Sequence, residues 1–337
     1  MTTSLKPTLA RLAQGETLSA AEAEAAFGIV MDGQATPAQI GGMLMAMRTR
    51  GETVPELTGV VTALRRRMAR VEAPIGAIDV CGTGGDGAAS LNISTAVTFV
   101  LTACGVPVAK HGNKALSSRS GGADVLSALG IGIEPPADRL ATILRQVGCA
   151  FLFAPRHHPA LRHAASTRVE LGTRTIFNLT GPLANPAGVT RQLMGVYDKK
   201  WLRPVAETLR DLGSEAVWVV HGGGMDELVL EGENHVVSLK DGVLREFTIT
   251  AEEAGLPPSP ISALAGGDAS YNAAALLALL RGEATPYRDA VLLNTSAALV
   301  MAARVQTLPE GVAYAAQMID EGAALSVLER LKAVSEV

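Results

Sequence analysis

The stretch that most constrains this chain is Ala77-Ile78-Asp79-Val80-Cys81, an apolar run that breaks into Gly82-Thr83-Gly84-Gly85-Asp86-Gly87 and then Asn92-Ile93-Ser94-Thr95. Residues 77–81 read as a buried strand and 94–104 as a helix, so the glycines fall on a strand-to-helix turn. Glycine admits positive φ and lets a ligand approach the backbone. Successive free N–H groups in such a turn, next to a helix N-terminus, form an anion site. The stretch reads as a polyphosphate cradle, with Asp86 available to a metal or a sugar hydroxyl. It lacks the Gly-Lys-Ser/Thr ending of a Walker loop. Gly82-x-Gly84-x-x-Gly87 fits the dinucleotide spacing only by letter, and the alternative is a tight turn with no ligand.

The strand-to-helix alternation continues. Residues 107–109 and 149–153 read as strands, and 123–129 and 137–147 as helices, which implies βαβ units with parallel pairing. Ligands on such sheets sit beyond the carboxyl ends of the strands. Ahead of this region, residues 1–72 read as helical. Three capping boxes stand in series: Ser19-x-x-Glu22, Thr36-Pro37-x-Gln39 and Thr53-x-Pro55-Glu56. The fold class is therefore α/β. A small N-terminal helical bundle, with about 160–185 returning to it, joins a large α/β domain of 73–159 and 186–337 with a mostly parallel sheet flanked by helices. A helix is expected over 160–171 and a rigid, turn-rich connection over 178–186. Further on, a helix is expected over 200–212, a strand over 216–221, a hairpin around Asp241-Gly242 and mostly helices after 272.

Other polar stretches cluster after strands. Lys110-His111-Gly112-Asn113-Lys114 and Ser117-Ser118-Arg119-Ser120-Gly121-Gly122 follow the second strand and suggest a second anion site, or else a polar loop. Two such loops after neighbouring strands point to one ligand with phosphates at both ends. Asp226 and Glu227 follow the triple-glycine turn 222–224 and offer hard oxygens to Mg²⁺, or else start a helix. Arg168 could grip a carboxylate through a bidentate pair, or form a structural ion pair. His157, His158 and His163 lack a zinc spacing. Arg65-Arg66-Arg67 reads as a solvated face or a subunit contact.

The bulk properties narrow the class. A net charge of −4 over 337 residues argues against a nucleic-acid footprint. No apolar run is long enough to span a bilayer and no secretory signal is evident. Cys81, Cys104 and Cys149 lie in apolar contexts and read as buried free thiols, which suits a reducing cytoplasm.

Taken together, Gly82-Thr83-Gly84-Gly85-Asp86, Asn92-Ile93-Ser94-Thr95, Lys110-His111-Gly112-Asn113, Ser117-Ser118, Arg168 with the run from Asn178 to Pro186, and Asp226-Glu227 resemble the anthranilate phosphoribosyltransferase family over nearly the whole chain. The resemblance implies transfer of a phosphoribosyl group from phosphoribosyl pyrophosphate (PRPP) to the amine of anthranilate, in tryptophan biosynthesis. It implies Mg²⁺, and a homodimer joined through the helical domain. It assigns PRPP to Gly82, Thr83, Gly84, Gly85, Asp86, Ser90, Asn92, Ser94, Thr95, Lys110, Ser117, Ser118, Gly121 and Gly122. Anthranilate falls to Gly82, Asn113, Pro155, His158 and Arg168, and the metal to Ser94, Asp226 and Glu227. Lys110, Asp226 and Glu227 carry the chemistry, with His111 a further candidate. The chain departs from the family pattern at Lys114 and Arg119, where Arg and Lys are usual, and at Gly122, often Ser. Two other readings compete: a pyrimidine-nucleoside-phosphorylase-like enzyme, and a non-catalytic nucleic-acid-binding relative. The acidic pair counts against both.

Overall fold

The computed structural model describes residues 4–115 and 119–335. Four helices come first: α1 (Lys6–Leu12), α2 (Ala20–Met31), α3 (Pro37–Arg50) and α4 (Val54–Arg67). All three expected capping boxes form, at Ser19–Glu22, Thr36–Gln39 and Thr53–Glu56. Glu56 does more than cap. Fully buried, it pairs with Arg50 at 2.5 Å and accepts the Leu18 N–H at 3.0 Å, tying α4 to the start of α2.

The chain then alternates: β1 (Ile78–Gly82), α5 (Ile93–Ala103), β2 (Val108–Gly112), α6 (Gly122–Ala128), α7 (Ala137–Val147), β3 (Cys149–Phe153) and the single turn α8 (Ala154–His157). It leaves the sheet for α9 (Arg162–Leu171) and α10 (Phe177–Leu183), and returns as β4 (Arg191–Gly195), α11 (Leu202–Asp211), β5 (Ala216–Gly222) and the hairpin β6 (Asn234–Lys240) and β7 (Val243–Ile249). Four helices finish it: α12 (Ala269–Leu280), α13 (Pro286–Met301), α14 (Leu308–Asp320) and α15 (Ala323–Ser335). The seven strands lie in the order β3-β2-β1-β4-β5-β6-β7, parallel from β3 through β5 and antiparallel in the hairpin. Asp241 and Gly242 both take positive φ, as a two-residue hairpin turn of primed type requires.

Period-two alternation sorts side chains onto two cores. Ile78, Val80, Leu193 and Val220 face the core built by α5, α7 and α12 to α15. Cys81, Met194, Val217 and Val219 face a second core shared by α11, α10 and the N-terminal helices. The two lobes thus meet on one face of the sheet, where α9 packs on α2 and α3, and α10 on α4.

Three local expectations need correction. The span 178–186 is not all turn: α10 runs through it with Pro182 one residue from its end, so the missing N–H is confined to the last turn. Strand β4 went unread because it is short and carries Arg191 and Gln192. The basic run is neither a bare solvated face nor free for a subunit contact throughout. Arg65 donates to the carbonyls of Leu183 and Leu212, Arg66 pairs with Glu24, and Arg67 clasps Asp32 at 2.7 and 2.9 Å. All three cysteines are buried and unbridged.

Candidate active site

The carboxyl ends of β1 and β2, the loops that follow them, and α9 and α10 enclose a crevice of about 360 Å³, within the usual size of a small-molecule site. Its floor begins with a break in the sheet. β1 is in register with β4 from Ile78–Arg191 to Gly82–Gly195, yet with β2 only at Ile78 opposite Val108. Past that pair a side chain replaces the ladder. The buried Asp79 carboxylate accepts the His111 N–H at 3.1 Å, while Asn185 Nδ2 donates to Asp79 Oδ2 and to the Ala109 carbonyl, both at 2.8 Å. Gln192 Nε2 reaches Asp79 Oδ2 at 3.3 Å and the Pro182 carbonyl at 2.8 Å. Lys110 Nζ fills the splay, donating to the Val80 carbonyl at 2.7 Å and to Ser94 Oγ at 3.0 Å.

Above this floor sits the glycine loop. Gly84 and Gly85 take φ of 67° and 74°, which side chains rarely adopt. Gly82 is required for a different reason: a Cβ there would lie 2.2 Å from Asp226 Oδ2. Asp226 comes that close because the Gly84 N–H donates to Oδ2 at 2.6 Å. Glu227 points the other way, to the first turn of α5, where its Oε1 accepts the Ser94 N–H at 3.1 Å and meets the positive end of the helix. Asn92 precedes that helix with its side chain turned sideways, accepting from Asn272 at 2.8 Å and donating to the Ser120 carbonyl at 3.4 Å. Gly122 packs close to Thr95, whose Oγ1 would be 3.0 Å from an added Cβ.

The electrostatics split the crevice. Burial, with Asp86 nearby, pushes the Asp226 carboxyl well above its ordinary range, and burial beside Asp226 does the same to Glu227. Each retains oxygens not taken by a backbone donor. Facing them, burial depresses His111 and takes His158 down to about 4, so both rings are neutral at pH 7. Their rings lie 5.1 Å apart. On the α9–α10 wall, Arg168 stacks over Phe177 at 5.3 Å. It is half-buried, and among the described residues no carboxylate pairs with it. The structural ion pair that the sequence left open for Arg168 is not formed. A guanidinium in an apolar wall with its donors unspent is a receptor for an anion.

The other expected site residues are distributed unevenly. Thr83, Asp86, Ser90 and Gly121 line the crevice. Asn113 lines it from an exposed position, its Oδ1 accepting the Lys114 N–H at 2.8 Å. Pro155 is exposed on α8 and is not brought to the crevice; its neighbour Ala154 is. Ser117 and Ser118 lie outside the described residues.

Comparison with known proteins agrees with this geometry. A glycosyl transferase family model for the a/b domain matches residues 75–325, and one for the helical bundle domain matches residues 6–68. An anthranilate phosphoribosyltransferase of Mesorhizobium japonicum is 56% identical over 331 residues, covering 98% of each chain. The chain belongs to the anthranilate phosphoribosyltransferase family. Its fold matches the crystal structure of the Thermus thermophilus anthranilate phosphoribosyltransferase with a TM-score of 0.93 at 42% identity, over 98% of this chain and 99% of that one. The Saccharomyces cerevisiae enzyme in complex with PRPP and Mg matches with a TM-score of 0.90 at 26% identity, over 99% of each.

In this phosphoribosyltransferase-family site, sequence reasoning missed the polar residues beneath the floor. Asp79, Asn185 and Gln192 are buried and touch no part of the crevice surface. One signal was available: a lone acid inside the apolar run 77–81 must find donors. Phe177, which also lines the wall, carried no such signal, whereas Gly181 and Pro182 belong to the run from Asn178 to Pro186 on which the resemblance rests.

Proposed function

We propose that this protein transfers the 5-phosphoribosyl group of PRPP to the amine of anthranilate, giving N-(5-phosphoribosyl)anthranilate and pyrophosphate in tryptophan biosynthesis. One observation carries the reading: a half-buried Arg168, with no acid partner among the described residues, shares one crevice with a glycine loop closed by two half-buried carboxylates. An aromatic carboxylate suits the first end and a polyphosphate the second. In this reading PRPP lies along Gly82–Asp86, Ser90, Asn92, Ser94, Thr95, Lys110, Gly121 and Gly122, with Ser117 and Ser118 assigned to it by the resemblance alone. Anthranilate lies against Arg168, His158, Asn113 and Gly82.

The residues present fit Mg²⁺. Asp226 and Glu227 are adjacent hard-oxygen donors whose proton affinity is raised by desolvation first and by a neighbouring acid second, both of which a bound cation would relieve. No set of three or more His, Cys, Asp or Glu able to hold an ion exists among the described residues. The cation would therefore draw its remaining ligands from substrate phosphates and Ser94, as Mg²⁺ commonly does. When bound, it neutralises the departing pyrophosphate.

The rest follows from this chain's own groups. The amine nitrogen attacks the anomeric carbon, the bond from that carbon to the pyrophosphate oxygen breaks, and the nitrogen then loses a proton. The sugar develops positive charge as its bond to pyrophosphate breaks ahead of full bonding to nitrogen, and an aromatic amine is already neutral at pH 7. Placement therefore contributes more than proton transfer, up to about 7–11 kcal/mol. Lys110, fixed by the Val80 carbonyl and Ser94, holds a positive charge where the leaving group gathers. His111 is too weakly basic in its buried setting to be an effective proton acceptor.

The reading includes a homodimer through the helical lobe, a cytoplasmic enzyme, and the division of the chain into the two lobes. The packing of α9 and α10 on α2 to α4 supports the division into lobes, and the buried free thiols suit a reducing compartment. Loss of anthranilate fluorescence on adding PRPP, with and without Mg²⁺, tests the activity. Mg²⁺-dependent loss is expected; an unchanged signal with folded protein would overturn it.

A further inference from the structure

Behind the glycine loop, outside the crevice, a second arginine stands without an acidic partner. Arg174 lies in the short connection between α9 and α10. Its guanidinium stacks on the Tyr197 ring at 4.1 Å, and no acid pairs with it among the described residues. Nε and one terminal nitrogen lie 3.5 Å from where a Cβ on Gly85 would project, so the guanidinium backs directly onto the loop. Tyr197 follows β4 and is buried. Its backbone N–H donates to Oγ1 of Thr83, another loop residue, at 3.0 Å. Glu52 and Arg48 of the helical lobe lie within electrostatic reach of its phenol. One stacked pair thus touches the loop at two points. Through the chain, it is joined to the wall that carries Arg168 and Phe177.

We propose that Arg174 and Tyr197 are positioning residues: a stacked brace that holds the glycine loop in its ligand-ready shape and couples it to the acceptor wall. The proposal rests on the reading that the loop receives PRPP. Arg174 does not line the crevice, so its effect passes through the loop and through Tyr197 rather than through contact with substrate. The brace needs the flat ring and the flat guanidinium, not the phenol hydroxyl. A lysine lacks the planar group and would serve poorly.

The test compares Arg174→Ala, Arg174→Lys, Tyr197→Ala, Tyr197→Phe and the Arg174→Ala/Tyr197→Ala double variant. Each is measured for Mg²⁺–PRPP affinity by calorimetry and for KM and kcat in turnover. Arg174→Ala and Tyr197→Ala should each weaken PRPP by about 3- to 30-fold, the range of a desolvated cation–π contact. Tyr197→Phe should match wild type, and Arg174→Lys should behave like Arg174→Ala. The double variant should be no worse than the poorer single one, because one coupled contact is lost in each case. Losses that multiply in the double variant would mean that the two residues act independently, and would overturn the brace. So would an unchanged PRPP affinity in a folded Arg174→Ala protein. Wild-type protein that binds no PRPP would instead defeat the underlying assignment of the loop, which separates the two failures.

Discussion

At the scale of single residues, two cations divide the labour. Lys110 is held by two oxygens beside the acidic pair, and Arg168, stacked on Phe177, has no acid partner among the described residues. Arg168→Ala should raise the KM for anthranilate by roughly 10- to 100-fold, the loss of a charge-assisted hydrogen bond, and change that for PRPP far less. Steady-state kinetics with each substrate varied in turn would show this. Lys110→Ala should lower kcat by about 10²- to 10³-fold, as removal of a preorganised charge does. His111→Ala should cost much less. Equal losses at the two positions would restore proton transfer as the dominant contribution. These expectations were drawn from residue types, their order and the family resemblance. That no acid among the described residues pairs with Arg168 was not legible, because partners from other elements are set by packing; Glu170, two residues along the same helix, points elsewhere by helix geometry alone.

At the scale of elements, the short-range capping signals were legible, and what depends on distant partners was not. Capping boxes fall within four residues, so Thr53 and Glu56 announced α4 from the sequence. The further duty of Glu56, pairing with Arg50 and accepting the Leu18 N–H, spans 38 residues and left no local trace. Glu56→Ala should therefore cost about 3–5 kcal/mol, well beyond a lost cap, because Arg50 would be stranded with a buried backbone donor. Urea unfolding of the variant beside Thr53→Ala would separate these contributions. The same logic explains β4 and α10. A strand holding Gln192 and a helix ending in Pro182 look irregular until Asp79 and the Arg65 contact supply their partners. In the glycine loop, Gly82→Ala should leave the fold in place but push Asp226 aside, abolishing Mg²⁺-dependent PRPP binding in calorimetry.

At the scale of the whole molecule, the crevice carries an electrostatic cost that sets how stability varies with pH. Asp226, Glu227 and Asp79 bind protons more tightly folded than unfolded. Stability contributed by the protonated carboxyls is present below the ordinary carboxylate range and is lost as pH rises through their raised folded values. His158 has the opposite sign: depressed to about 4, it costs stability as pH falls from its unfolded value near 6.5. The two effects oppose each other below pH 6.5, and above it the carboxyls act alone. Without Mg²⁺, the unfolding temperature should therefore fall from pH 6.5 to 8. With Mg²⁺ and PRPP the slope should flatten, and Asp226→Asn should flatten it without either. A rising slope in the wild type would contradict the assigned burial of these acids.

The wedge of Asp79 between the first two strands has one more consequence. Apolar patterning alone would tolerate β2 sliding two places along its neighbour, since alternate side chains would keep their faces. Such a slide would pull the His111 amide and the Ala109 carbonyl away from the carboxylate and amide that now meet them. The alignment of β2 on β1 is therefore fixed by specific polar chemistry, beside its full ladder with β3, because a slid strand would leave the Asp79 carboxyl and the His111 amide without their buried partners.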